Sequence, residues 1–187
     1  MLDKLIHIDQ ELLIYLNNLG STKWDAMWLY ITNQFHWIPL FLLILLILFW
    51  KLGWKNASLL LLFIAAMITF SDQFTNLIKY SFERLRPCND PEIIDKIRTF
   101  DYRPRGFGFF SGHAATSSII TTFLILLLKD KLKYIWLLIF FPLTFGYSRI
   151  YLGVHFPLDV FSGFLAGFMF GNLFYYLNNK IKISNRF

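Results

Sequence analysis

Residues 147–163 read YSRIYLGVHFPLDVFSG. The stretch joins two apolar segments, and its polar residues fall where one stops and the other starts. Ser148 and Arg149 close the first segment, His155 lies in the connection, and Asp159 stands in the first turn of the second. Pro157 suits that first turn, where its missing N–H is no loss. A cation, an imidazole and a carboxylate therefore sit at the mouth of two hydrophobic helices. Polar groups are expensive in such surroundings and mark a functional site by default.

Working outward, the chain is 56% hydrophobic over 187 residues, and these residues are gathered into blocks that a water-soluble surface could not absorb. The reading is an all-α integral membrane bundle of about five transmembrane helices, preceded by N-terminal interfacial helices. The apolar segments are 37–50, 57–79, 111–128, 133–150 and 157–177, with tight turns at 51–56 and 129–132. Pro142 is expected to bend the fourth. Gly163, Gly167 and Gly171 form a four-residue ladder on the fifth that permits close helix contact, within the bundle or between copies.

Residues 1–20 lack the clean apolar core of a cleavable leader. Leu2, Leu5, Ile6, Leu12, Leu13 and Leu16 can share an amphipathic stripe, interrupted by Asp9, which predicts a helix lying in the membrane interface. A second short helix over 21–34 would place Trp24 and Trp28 among headgroups. The resulting organisation is 1–34 interfacial, 35–178 a membrane-embedded bundle, and 179–187 a basic cytoplasmic tail.

Charge placement argues for topology rather than nucleic-acid binding, despite a net +6. Lys51, Lys55, Lys129, Lys131, Lys133, Lys180, Lys182 and Arg186 gather at one face, which the positive-inside rule makes cytoplasmic. The loop 80–110 at the other face holds six basic and five acidic residues, a net of only +1. The polar site then faces the periplasm or exterior. A single cysteine, Cys88, excludes a disulfide framework and a cysteine-rich metal site, and reads as local packing.

Everything of chemical interest converges on that outer face. Asp72, Asn76 and Lys79 recur at helical spacing and share one face of the second segment. Lys79 forms one polar mouth with Arg86, Arg149, Ser111, the Gly112 backbone, His113, His155 and Asp159, while Asp72 lies deeper on the second segment. Lys79, Arg86 and Arg149 repel one another unless an anion joins them, and arginine forks suit phosphate oxygens. Ser111 and Gly112 open the third segment, where free backbone N–H groups and the helix dipole favour an anion. Two histidines can divide phosphoryl transfer. With Asp159 holding its ring, His155 would attack phosphorus and form a phosphohistidine, while His113 protonates the leaving oxygen and later takes a proton from water. The cations stabilise the equatorial oxygens, so neither metal nor cofactor is expected. Arg103 and Arg105 are candidate contacts for a second phosphate or the headgroup.

Three motifs carry a resemblance. They are KYSFERLRP (Lys79 to Pro87), FSGH (Phe110 to His113) and SRIYLGVHFPLD (Ser148 to Asp159). Together and in this order they resemble the type 2 phosphatidic acid phosphatase (PAP2) family, membrane lipid phosphatases related to vanadium haloperoxidases. The departure is Phe110, where the family pattern has proline. The resemblance covers about residues 60–175 and implies a haloperoxidase-like helical core acting on membrane lipids with a phosphate or diphosphate headgroup. Metal-independent hydrolysis of undecaprenyl diphosphate is the first expectation; lipid A and phosphatidylglycerol phosphate are the alternatives. Outside that class stand an anion transporter and a haem protein using His113 and His155 as axial ligands. The transporter reading would need a path to the cytoplasmic face, and the third and fifth segments show few polar residues beyond their outer ends. The cationic surroundings suit phosphate better than iron. Nothing in the sequence fixes an oligomeric state.

Overall fold

The computed structural model describes residues 1–181, and the chain is all-α over them. The expected tail at 179–187 lies mostly outside the described residues; 179–181 close the last helix. The helices are α1 (Leu2–Asn18), α2 (Thr22–Thr32), α3 (Ile38–Phe82), α4 (Gly112–Leu128), α5 (Phe140–Tyr151) and α6 (Pro157–Ile181). Two helical stretches, Gln34–Phe82 and Pro157–Ile181, are long and apolar enough to cross a membrane; Gly112–Leu128 and Ile135–Tyr151 are shorter apolar helices.

Gly53 interrupts α3 with φ 71° and ψ 165°, a conformation that costs a glycine little. The chain reverses there. Ile38, Phe41, Ile44 and Leu48 before it face Leu61, Ile64 and Ile68 after it across a shared groove. This reversal falls within the expected turn at 51–56. Leu48 and Leu52 from the first arm, and Ala57, Leu60 and Met67 from the second, pack with Ile119, Phe123, Leu124 and Leu128 of α4 into the main apolar core.

The fourth segment is not one bent helix. It starts as a 3-10 helix, Ile135–Ile139, and becomes α5 at Phe140. Pro142 thus stands in the first turn of α5, where no hydrogen bond is lost, and no kink is required.

The helices meet most extensively at the α4–α6 pair, and the glycine ladder explains why. A β-carbon on Gly163 would lie 2.6 Å from the Ser111 carbonyl oxygen, and one on Gly167 would lie 2.5 Å from that of Ala115. On Gly171 it would lie 2.6 Å from Cβ of Thr122. The ladder therefore serves packing inside the bundle. Between apolar helices in lipid, such backbone approach supplies the dispersion contact that hydrophobic burial supplies in water.

The N-terminal helices differ from expectation in one respect. Buried positions on α1 are Asp9, Leu13 and Asn17, while Leu5, Ile6 and Leu12 are exposed. The helix turns Asp9, Leu13 and Asn17 to the bundle and Leu5, Ile6 and Leu12 outward, because Asp9 and Asn17 have partners there. Asn17 donates to the Tyr151 carbonyl at 2.7 Å and accepts from the Arg98 N–H at 2.7 Å. Trp28 of α2 likewise stacks on Tyr151 and meets Tyr147 edge-on, so it packs on the bundle; Trp24 remains exposed.

Replacing Gly167 by leucine should lower the midpoint of thermal unfolding in detergent by several degrees, since overpacking costs about 1–3 kcal/mol. An unchanged midpoint with altered oligomeric state would place the ladder at an interface instead.

Candidate active site

Four helix ends converge: the C-terminus of α3, the N-terminus of α4, the C-terminus of α5 and the N-terminus of α6. His155 lies just before α6 and is 1% exposed. Its Nε2 is 2.9 Å from Nη1 of Arg86. Its Nδ1 is 3.4 Å from Oδ2 of Asp159, close but without an aligned hydrogen bond. Burial, then the charges of Arg86, Arg149 and Lys79, hold the His155 imidazole well below its ordinary 6.5. The ring is therefore neutral at neutral pH. The guanidinium can only donate, so Nε2 carries the lone pair and the N–H sits on Nδ1, toward Asp159.

Asp159 is 0% exposed and serves more than His155. Its Oδ2 accepts the Phe156 N–H at 2.9 Å, and its Oδ1 accepts from Arg84 at 2.7 Å. Arg84 is a residue that sequence reading treated as loop charge. Its other nitrogen reaches Asp9 of α1 at 2.6 Å. The signal for Asp9 was available in the spacing of Asp9, Leu13 and Asn17, which share one face of α1.

Arg149 is 1% exposed. Its Nη1 donates to Thr32 Oγ1 at 2.5 Å and its Nη2 to the Tyr102 hydroxyl at 3.3 Å. Its Nε is buried without a partner. Arg86 donates to the carbonyls of Gly106 at 3.2 Å and Val154 at 3.3 Å. Lys79 projects toward the start of α4, with Nζ 3.8 Å from where a β-carbon on Gly112 would lie. Among the described residues none of these three cations forms a contact ion pair, although Asp159 lies within electrostatic range of Lys79 and Arg86, and Asp72 of Lys79.

Ser111 is fully buried and caps α4, its hydroxyl accepting the Ala114 N–H at 3.4 Å. Its own N–H donates to the Asp159 carbonyl at 2.9 Å, which ties α4 to α6. The N–H groups of Gly112 and His113, first and second in the helix, have no intrahelical acceptor. His113 lies within electrostatic range of Arg149, His155, Lys79 and Arg86, and its ring is 5.0 Å from that of Phe145. Arg103 and Arg105 are exposed on the loop, with Arg103 reaching Thr99 at 3.3 Å. They stand outside the buried cluster. Cys88 is buried against Tyr151, Leu152 and Val154, as expected of a packing residue.

Two cavities meet at His113. One, of about 610 Å³, opens between the arms of α3 and is lined by Lys79, Asp72, Thr75 and Gly112 at its polar end and by Phe41, Ile68, Ile120 and Phe141 beyond. The other, of about 460 Å³, is lined by Leu29, Thr32, Asn33, Gln34, Phe35 and Tyr102.

A family model for the PAP2 superfamily matches residues 57–183. The chain belongs to the PAP2 superfamily. It is a membrane lipid phosphatase or diphosphatase of that family. It is 38% identical to a lipid A 4'-phosphatase of Bacteroides thetaiotaomicron over 97% of this chain and 81% of that protein. It is 31% identical to an undecaprenyl-diphosphatase of Sulfolobus acidocaldarius over 72% of this chain and 60% of that one. Its fold matches the crystal structure of a PAP2-type phosphatidylglycerolphosphate phosphatase from Bacillus subtilis, with TM-score 0.75, 21% identity and coverage of 95% and 88%.

His155 gives the PAP2 site a pH signature. Its folded pKa lies below the unfolded value of about 6.5, so the stability it contributes is full above that pH. It is lost as pH falls through 6.5 toward the folded pKa, at up to about 1.4 kcal/mol per pH unit. Thermal melts between pH 8 and pH 5 should show this decline, and the H155Q protein should show a flatter one. Equal slopes in both proteins would contradict the assignment.

Proposed function

We propose that the enzyme removes a phosphate monoester from the sugar headgroup of a lipid A-type glycolipid, through a phosphohistidine on His155. The observation that carries the reaction is the set of three unpaired cations around a neutral, buried imidazole. A tetrahedral dianion bound there would receive donors from Arg86, from the free Nε of Arg149, from Lys79 and from the Gly112 and His113 N–H groups. Ser111 would then act by fixing the start of α4.

The steps follow from the geometry. The incoming phosphate draws Arg86 off Nε2, which frees the lone pair for in-line attack on phosphorus. Asp159 balances the positive charge that develops on the ring. His113, which takes up a proton once the bound dianion offsets the surrounding cations, gives that proton to the departing alkoxide and is left neutral. In the second step His113 takes a proton from water, hydroxide attacks phosphorus, and the P–N bond breaks to restore neutral His155. Charge on the equatorial oxygens is stabilised by fixed donors that need no reorganisation. Among the described residues no three His, Cys, Asp or Glu side chains gather as metal ligands.

Two observations favour a glycolipid over a lipid diphosphate. The relative matched along nearly the whole chain acts on lipid A, whereas the undecaprenyl-diphosphatase match is shorter. The 460 Å³ cavity against His113 also carries no charged side chain among Leu29, Thr32, Asn33, Gln34, Phe35 and Tyr102. A neutral, hydroxyl-rich leaving group fits it better than a second phosphate. Arg103 and Arg105 would contact the headgroup only at the rim. The 610 Å³ cleft, and the apolar groove between the arms of α3 that continues it, offer a path for acyl chains.

In this reading five segments cross the membrane: the two arms of α3, α4, the stretch 135–151, and α6. Lys51, Lys55, Lys129, Lys131, Lys133 and Lys180 lie at the end away from the site and face the cytoplasm. The site then faces the periplasm, α1 and α2 form the interfacial layer, and 35–178 forms the catalytic bundle.

Detergent-purified enzyme should be assayed in parallel on lipid A, undecaprenyl diphosphate, phosphatidylglycerol phosphate and phosphatidic acid, with excess EDTA. Lipid A should give the highest kcat/KM, release should survive EDTA, and His155→Ala should cost at least roughly 10³-fold. A clear preference for undecaprenyl diphosphate would overturn the headgroup assignment, and loss of release in EDTA would overturn the metal-free chemistry.

A further inference from the structure

Arg84 and Asp9 lie outside the phosphate cluster, yet they are bonded into it. Asp9 is 5% exposed, although it belongs to an interfacial helix at the far end of the sequence. Its Oδ2 accepts from Arg84 Nη2 at 2.6 Å, and its Oδ1 accepts from the N–H of Leu158 at 2.8 Å. Leu158 is the second residue of α6, so Asp9 satisfies a free N–H at the start of that helix from another part of the chain, beside the local bond from the Phe156 N–H to Asp159. Arg84 Nη1 continues to Asp159 Oδ1 at 2.7 Å, and the guanidinium carbon sits 4.0 Å above the Phe156 ring. The far oxygen of Asp159 is the one 3.4 Å from His155 Nδ1.

We propose that Asp9 and Arg84 are positioning residues for the His155–Asp159 pair, so that α1 is part of the catalytic apparatus and not only a membrane support; this rests on His155 being the nucleophile. The carboxylate of Asp159 has one torsion to fix. Arg84 fixes it by taking Oδ1 along a rigid fork, which turns Oδ2 toward Phe156 N–H and the imidazole. Arg84 in turn is oriented by Phe156 beneath it and by Asp9 at its other nitrogen. Asp9 also shares the guanidinium charge. Without that sharing Arg84 bears on Asp159 alone and competes with His155 for the carboxylate's field. Without Arg84 two buried carboxylates face the same gap with no cation between them. The other charged groups acting on Asp159 are Arg86 and, from α3, Lys79; both lie on the phosphate side and do not replace Arg84.

The test uses full-length enzyme in detergent with lipid A as the probe substrate, comparing wild type, Asp9→Asn, Arg84→Gln, Arg84→Lys and His155→Ala. Asparagine keeps an oxygen for the Leu158 N–H while removing the charge. For folded protein, Arg84→Gln should lower kcat about 100-fold and Asp9→Asn about 10-fold, with KM within about 3-fold of wild type. Arg84→Lys should recover about 10-fold over the glutamine variant, because a cation returns to the gap without the fork. Folded variants with kcat near wild type, a loss confined to KM, or a lysine variant no better than glutamine would overturn the proposal. If Arg84→Gln fails to fold, Asp9→Asn decides alone. A His155→Ala protein as active as wild type would instead remove His155 as the nucleophile, and the proposal with it.

Discussion

A buried cation without a counter-ion is the constraint on which the structure turns. Arg149 is 1% exposed and held by two neutral hydroxyls, and Arg86 is 6% exposed and held by two carbonyls and an imidazole. Lys79 adds a third positive charge within range of both. Leaving such groups unpaired in a low-dielectric mouth costs several kcal/mol each, and a bound anion relieves that cost. In the proposed reading the free protein stores, in its own unpaired charges, part of the energy that draws a phosphate in. Burial and the same charges keep His155 neutral, so the proposed anion site and the proposed nucleophile arise from one arrangement.

Holding those cations apart requires a scaffold on all sides. The glycine ladder of α6 brings its backbone onto α4, and the Ser111 N–H closes on the Asp159 carbonyl, which fixes the two helix starts against each other. The N-terminal helices complete the walls. Thr32 at the end of α2 anchors Arg149, and Asn17 at the end of α1 clamps Tyr151 and Arg98. Asp25 takes Arg98 through both oxygens at 2.8 and 2.7 Å and accepts from the Tyr151 hydroxyl at 2.7 Å. What sequence order presents as an interfacial preface is bonded to the rest of the chain through Asn17, Asp25 and Thr32.

The parts legible in the sequence are those whose meaning is local. Runs of Leu, Ile and Phe declare apolar helices, and a break at 51–56 declares a reversal. His155 and Asp159 at a spacing of four declare a pair. The cations could be grouped because Lys79 and Arg149 stand at the ends of apolar segments and Arg86 lies in the loop just past Lys79, and segment direction alone then puts them on one face. Partners separated by most of the chain could not be read in this way. Asp9 looked like a flaw in an amphipathic stripe, since its partners Arg84 and Leu158 are 75 and 149 positions away. Thr32 and Tyr102 carried no signal at all, because a lone hydroxyl acquires a role only when a guanidinium arrives beside it. Ser111 was legible as a residue at a helix start, but its capping bond and its tie to α6 emerge only from the packing.

The central claim is that His155 bears the phosphoryl group in the reaction. The direct measurement is rapid mixing of enzyme with substrate carrying labelled phosphate, followed by an alkaline quench that preserves phosphoramidates, and mapping of the label by peptide mass spectrometry. The account predicts label on His155 in the wild type, more of it when His113→Asn slows hydrolysis of the intermediate, and none in His155→Ala. Label on another residue, or steady turnover with no labelled enzyme at any time point, would contradict it.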